Sequence, residues 1–415
     1  MISLFKRYRS LESNSLNLIV SESFLQLING SLMLILFLYM GELGYTNSEK
    51  AFYLVFRFTG VLFFSFPFGL WIKGKRLLPY FKISAYSLPI ITLLAVYAIH
   101  EKIEWLIIFS FVMWGLSFTL SQICKLPFIL RHCPKEQVTE GITLSYSTWS
   151  FGNVLGGALI FILSNLLPAI FTSQNCIIFV ALFSYLSLYF LFKVNKNEKL
   201  GKKENASIKK INLKDFDWKL IFQGLFPTFL IAIGAGMSIP FMNIYFEQTF
   251  NLSYDNYAAL GFVTHCLVFF MILQSPYIKG RFGYKKAIPI TQTFSVLSLL
   301  ALGIFENYSS IPSVFYFAIF FFIIRQPLMN IAQPMTTDIV MKYVGEKNQE
   351  IVSALFVLIW NGSFVISGLL FSYLSSLNLP FMYIFAYTAV FYFIAIVWYI
   401  WLIKKIETTN ISVPN

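Results

Sequence analysis

Charge is scarce in this chain. Asp, Glu, Lys and Arg together make up 12% of its 415 residues, about half their usual share in a soluble domain. With 57% hydrophobic residues and a mean hydropathy of +0.70, a water-solvated globule is excluded. Histidine is scarcer still: His100, His132 and His265 lie on distant segments. A membrane-embedded transferase needs clustered His, Asp or Glu with a positioned partner, and no such cluster is visible. The four cysteines, Cys124, Cys133, Cys176 and Cys266, have neither pairing nor metal-ligand spacing and read as small packing residues. No Gly-x-x-x-x-Gly-Lys-Ser/Thr run is present, so ATP-driven pumping by this chain is not expected. No cofactor is implied. No stretch reads as a cleaved signal peptide, because the apolar run after the basic residues 1–13 is too long and lacks a small-residue cleavage site.

What the chain has is long apolar runs and aromatics, with 47 Phe and 23 Tyr, as suits lipid-facing helices with aromatic belts. Crossing a bilayer takes roughly 20 mostly apolar residues. Twelve runs qualify: 14–40, 50–72, 80–99, 105–131, 138–166, 172–193, 218–247, 255–278, 286–305, 312–341, 351–376 and 380–403. A polar, Lys-rich connector, 194–217, divides them into six and six. The expected organisation is therefore an all-α polytopic membrane protein with halves 1–193 and 218–415.

The net charge of +12 is a topology signal rather than a nucleic-acid footprint. Of the 31 Lys and Arg, 26 fall on one side of the predicted spans and two, Lys50 and Lys102, on the other. Arg57, Lys125 and Arg325 lie within spans. The positive-inside rule puts both termini and the connector in the cytoplasm. Short loops and short tails favour a bacterial inner membrane.

The richest basic turn is Lys279-Gly-Arg-Phe-Gly-Tyr-Lys-Lys286, where Gly280 and Gly283 offer backbone freedom for a reversal between the eighth and ninth runs. A weaker echo, Gly69-Leu-Trp-Ile-Lys-Gly-Lys-Arg-Leu-Leu-Pro79, follows the second run. A second internal echo pairs Trp149-Ser-Phe-Gly-Asn-Val-Leu-Gly-Gly157 with Trp360-Asn-Gly-Ser-Phe-Val-Ile-Ser-Gly368. Each places small residues where helices can approach closely.

Twelve spans in two sixes, a long middle loop, and basic turns after spans two and eight resemble the major facilitator superfamily (MFS) over the whole chain. Arg281, Gly283, Lys285 and Lys286 match that superfamily's signature turn, with Gly280 standing where its acidic residue belongs. In the first copy Gly69 fits, while Lys73 and Gly74 replace the Asp-Arg pair. The resemblance implies cytoplasmic gate loops at Gly69, Lys73, Arg76, Arg281, Gly283, Lys285 and Lys286. It also implies secondary transport, with two halves rocking about a site near the bilayer midplane.

Charges deep in lipid face a cavity or a partner, which makes each a site candidate. Arg325 lies about fourteen residues into the tenth span, too deep to snorkel, and can hold an anionic substrate group or a structural carboxylate. Gln326, Asn330 and Gln333 form a polar stripe along the same helix. Glu22, Gln26 and Asn29 share one face of the first span, and Glu22 is either a proton-coupling carboxylate or a partner of Lys125 or Arg131. Ser117, Ser121 and Lys125 share a face of the fourth span. For Lys125, and for Arg57 about eight residues into the second span, anion attraction competes with snorkelling or structural pairing. Asn243 and Glu247 follow the breakers Gly234, Gly236 and Pro240, as a bending gate would. His265 can relay protons or make a helix contact. Trp149 and Trp360 can stack on a substrate or pack between helices.

The expected function is transport of a small organic molecule, anionic or zwitterionic, with proton coupling. Multidrug efflux or export of a lipid-linked substrate is the rival within the class. A non-transporting sensor or scaffold on the same fold is the rival outside it. Expected partners are the substrate, the bilayer and protons, without nucleic acid, for a monomer in the plasma membrane.

Overall fold

The computed structural model describes residues 7–167, 169–195, 198, 214, 216–377 and 379–408. Among them there is no strand. The helices are α1 (Ser13–Glu42), α2 (Asn47–Trp71), α3 (Leu78–His100), α4 (Glu104–His132), α5 (Val138–Leu166), α6 (Ser173–Phe183), α7 (Leu186–Lys193), α8 (Trp218–Ser238), α9 (Met242–Phe250), α10 (Tyr254–Ile272), α11 (Ser275–Glu306), α12 (Pro312–Val344), α13 (Gln349–Ser376) and α14 (Phe381–Thr408). Among the described residues eleven spans, two of them built from helix pairs broken only briefly (α6–α7 and α8–α9), are long and apolar enough to cross a membrane. The shorter apolar stretch Asn256–Ile272, within α10, supplies a twelfth segment. The expected all-α architecture is borne out.

Helix starts follow local chemistry. Thr46 and Glu49 form a reciprocal capping box at the start of α2, and Asp217 and Ser253 cap α8 and α10 through their side-chain oxygens. Proline sits in the first turn of α3, α11 and α12, where its missing N–H has no helical partner to lose. The break at 239–241 is a 3-10 turn carrying Pro240, as the breakers anticipated.

The basic turn differs from expectation. The eighth span ends at Ile272 rather than 278, and helical backbone resumes at Ser275. The reversal falls on Gly283 alone (φ 64°, ψ 170°), a left-handed conformation that favours glycine. Gly280 is not among the positive-φ glycines. Gly74, in the earlier echo, has φ 68°.

Two compact units result. One is Met1–Asp215 with Gln349–Leu358, and the other is Phe216–Asn348 with Ile359–Asn415. The first turns of α13 therefore group with the first unit. In that unit α1 packs on α5, and α4 packs on α2 and α3. A core of Leu18, Leu25, Leu36, Phe81 and Phe111 fills the space between them. In the second, α11 packs on α12 and α14, and α8 on α14, around Tyr245, Phe246, Phe322 and Phe385. Large apolar residues such as Phe63, Trp105 and Tyr316 point outward, as a surface solvated by lipid allows.

Small residues make the tightest contacts. A Cβ on Gly152 would meet the Gln26 backbone at 2.7 Å, and one on Gly236 would meet the Ser367 hydroxyl at 2.5 Å. Gly234 lies against the Tyr392 ring. Gly234 and Gly236 are close-approach positions, and the bend read from the three breakers falls at Pro240. The four cysteines are free, and three are buried.

Candidate functional site

In the first unit, α1 carries Glu22, Gln26 and Asn29 on one buried face. Lys125 on α4 donates to Glu22 Oε1 at 3.0 Å, and Ser145 on α5 donates to Oε2 at 2.7 Å. Gln26 Nε2 adds a contact to Oε1 at 3.3 Å. Glu22 is fully buried and the Lys125 side chain is 11% exposed. Lys125 is thus paired rather than snorkelled, the stem and head held inside by Glu22 and the Tyr146 ring. Of the two partners weighed for Glu22, the ammonium is the one it meets; Arg131 goes elsewhere. Ser121 turns its hydroxyl onto its own helix at Phe118, and Ser117 lines an apolar groove of about 160 Å³ with Phe64 and Phe68. No charged candidate lines that groove.

One turn further along α1, Asn29 Oδ1 accepts from Arg57 Nη2 at 2.9 Å. Arg57 is 7% exposed and its guanidinium lies 4.4 Å from the centre of the Trp114 ring. It too is buried rather than snorkelled.

In the second unit, Arg325 is 1% exposed and heads the fully buried side chains by volume. Nη2 donates to Ser238 Oγ at a long 3.4 Å, and among the described residues Nε has no acceptor. Its ionisable neighbours are Tyr392 and Tyr257. Among the described residues no carboxylate is within ion-pair distance, so the structural carboxylate weighed as its partner is not found. Ser295 donates to the Arg325 carbonyl at 3.1 Å, fixing α12 against α11 at this level. The polar stripe is weaker than anticipated. Asn330 turns its amide back onto the Gln326 carbonyl at 2.9 Å, and Gln326, Asn330 and Gln333 are half-buried. Asn243 is half-buried with its side-chain oxygen unsatisfied, and Glu247 is exposed. Trp149 keeps 45% of its surface exposed and Trp360 is half-buried. His265 is half-buried.

Sequence reasoning missed two carboxylates. Asp338, fully buried in α12, accepts from the Tyr284 hydroxyl and lies 3.2 Å from Lys342 and 3.6 Å from Lys279. It ties the basic turn to α12. A carboxylate inside the tenth apolar run was the available signal. Glu198 in the connector accepts from the backbone N–H of Leu77 (2.6 Å) and Leu78 (3.0 Å), capping α3, and lies 3.7 Å from Arg131. Arg131 also donates to Glu350 at 2.7 Å and to the Lys75 carbonyl at 2.8 Å. No local pattern could have announced Glu198, which acts 120 residues away in sequence.

The remaining gate-loop residues divide. Gly69 is packed so closely on Ala354 that a Cβ would collide with it. Lys73 is half-buried, while Arg76, Arg281, Lys285 and Lys286 are exposed. Lys285 reaches Glu407 at 3.9 Å between exposed side chains, a contact worth little. Beside the first turn of α5, Tyr8 is buried near Glu140. Burial first, and that carboxylate second, hold its hydroxyl above the ordinary tyrosine range.

Among the described residues no group of three His, Cys, Asp or Glu is placed to hold a metal. Of Glu22, Arg57, Lys125 and Arg325, Glu22 and Lys125 form a neutralised ion pair, and among the described residues neither guanidinium has a carboxylate within ion-pair distance.

Comparison with curated proteins gives no match. Solved structures give several. The chain is similar to a bacterial homologue of the iron transporter ferroportin in an outward-facing state, at 15% identity and TM-score 0.74, covering 94% of this chain and 98% of that one. It is also similar to the MFS transporter FucP in the outward conformation, at 13% identity and TM-score 0.73, covering 93% and 97%. The same figures hold for a variant form of the E. coli fucose:proton symporter. At such identities the likeness is one of fold. The family model described as Major Facilitator Superfamily matches residues 18–368, so this multi-pass membrane protein belongs to the Major Facilitator Superfamily of transporters.

Proposed function

We propose that this transporter moves a small organic anion or zwitterion by alternating access, with Arg325 holding the negative group. The observation that carries this reading is the burial of the Arg325 guanidinium without a carboxylate. Burying an unpaired charge carries a penalty of several kcal/mol even after relaxation. A ligand that brings a negative charge to the guanidinium removes that penalty when it binds.

Glu22 is the coupling candidate of this reading. Its carboxylate is neutralised by Lys125 and held by Ser145. A carboxylate whose charge depends on one neighbouring ammonium becomes protonatable when that neighbour moves away. A proton gradient is accordingly the driving force we infer. The charge asymmetry of the loops supports cytoplasmic termini.

The test is a thermal-shift screen of purified wild type and Arg325→Gln against organic anions, zwitterions, lipophilic cations and phospholipid head groups. A ligand specific for the folded state stabilises it by about 2.7 kcal/mol at a hundredfold excess over its Kd. An anion that stabilises wild type and not the variant supports the reading, and goes on to proteoliposomes under an imposed pH gradient. Equal stabilisation of both by lipophilic cations overturns it in favour of drug export.

A further inference from the structure

We propose that the first unit has an anion-binding site of its own, formed by Arg57, Trp114 and Asn29, and that its ligand is a monocarboxylate. This goes beyond the role proposed for Arg325 and does not depend on it.

The site is an excess of buried donors. Arg57 Nη2 donates to Asn29 Oδ1 at 2.9 Å, and Nη1 faces the Met33 thioether at 3.7 Å, a weak acceptor. Among the described residues Arg57 Nε and the Trp114 indole N–H have no acceptor, although both residues are more than nine-tenths buried. Among the described residues no carboxylate is within ion-pair distance of Arg57. Native interiors rarely leave such groups unsatisfied. A guanidinium in lipid finds a partner or a ligand.

Burial removes the snorkelling alternative. Arg57 lies ten residues along α2 from Asn47 and is 7% exposed, and its guanidinium is held by Asn29 Oδ1 and the Trp114 ring.

The surroundings select the ligand. The guanidinium carbon lies 4.4 Å from the centre of the Trp114 ring and 5.1 Å from that of Phe58, so aromatic surface flanks the charge. The fixed fork of guanidinium N–H donors suits a planar carboxylate, which accepts two bonds at once. A single positive charge favours a monoanion over a dianionic phosphate. The scaffold is rigid here, because a Cβ on Gly115 would strike the Arg57 carbonyl and one on Gly60 would lie 2.9 Å from the Val112 carbonyl. Close backbone contact between α2 and α4 presets the donors, which limits the ordering loss on binding.

The test titrates purified full-length protein with acetate, benzoate, chloride and phosphate at constant ionic strength, reading Tm against concentration. Wild type and Arg325→Gln should both show a saturable rise with the monocarboxylates and little with chloride or phosphate. Arg57→Gln should weaken the carboxylate effect at least tenfold. Trp114→Phe, which keeps an aromatic face and removes the N–H, should weaken it severalfold, measured as Kd against its own ligand-free Tm because the smaller ring also loses packing. Should Arg57→Gln fail to fold, Trp114→Phe decides alone, and an unchanged Kd in it overturns the site. The proposal is equally overturned if no carboxylate gives a saturable shift, if chloride matches the carboxylates, or if Arg325→Gln abolishes the effect. A shift kept in Arg325→Gln and lost in Arg57→Gln stands for this site whatever becomes of the Arg325 reading.

Discussion

Lys125 and Glu22 meet at 3.0 Å across α4 and α1, with the carboxylate fully buried and the ammonium nearly so. A pair so placed is fragile in one specific way. Removing one partner leaves the other as an uncompensated charge, whereas removing both leaves only a polarity change. Glu22→Gln or Lys125→Met alone should therefore destabilise by about 3–5 kcal/mol, and the double variant by much less than their sum. Chemical or thermal denaturation of the four species closes the cycle. Additive losses would show that the two groups do not act as a pair.

Arg325 should behave oppositely. With no carboxylate near it, replacing the guanidinium by the similar-sized Met removes a desolvated charge, so Tm should stay level or rise while anion stabilisation is lost. A Tm lower by several degrees would mean that the arginine holds the unit together.

The helix contact between α1 and α5 offers a steric test. A methyl group on Gly152 would press on the Gln26 backbone at 2.7 Å, which cannot swing aside as a side chain can. Gly152→Ala should cost about 1–3 kcal/mol. Gly261→Ala, where nothing lies within 4 Å, should be neutral or slightly stabilising in the same assay.

Glu198 gives a test of the connector. Its two oxygens accept from Leu77 and Leu78 at the start of α3, satisfying orphan N–H groups beside the positive end of the helix dipole. Glu198→Ala should lower stability by about 1–2 kcal/mol, and Glu198→Gln by less, since the amide oxygen still accepts one bond. Equal Tm values for all three proteins would remove the connector from the fold's energetics.

Much of the fold is legible in one dimension. A bilayer imposes a length on every apolar run, so the ends of most helices fall within a few residues of where hydropathy puts them. The eighth span is the exception. Its apolar composition continues through Pro276 and Tyr277, but the chain turns at Leu273 and Gln274, because hydropathy is blind to a break between two helical stretches. The glycines divide on the same principle. Composition marks Gly280 and Gly283 alike, and only the backbone path makes one of them left-handed.

The site is legible in part. Which charges must be buried follows from the order of residues, since Glu22, Arg57, Lys125 and Arg325 interrupt runs that lipid surrounds. That Glu22, Gln26 and Asn29 share a face follows from helical spacing in the same way. Who meets whom was settled by packing. It gave Glu22 to Lys125, left Arg57 and Arg325 without a carboxylate among the described residues, turned Asn330 back on its own helix, and brought Glu198 to the start of α3. The physical reason is range: burial and helical phase are local properties of a chain in lipid, whereas an ion pair is fixed by how two distant helices pack.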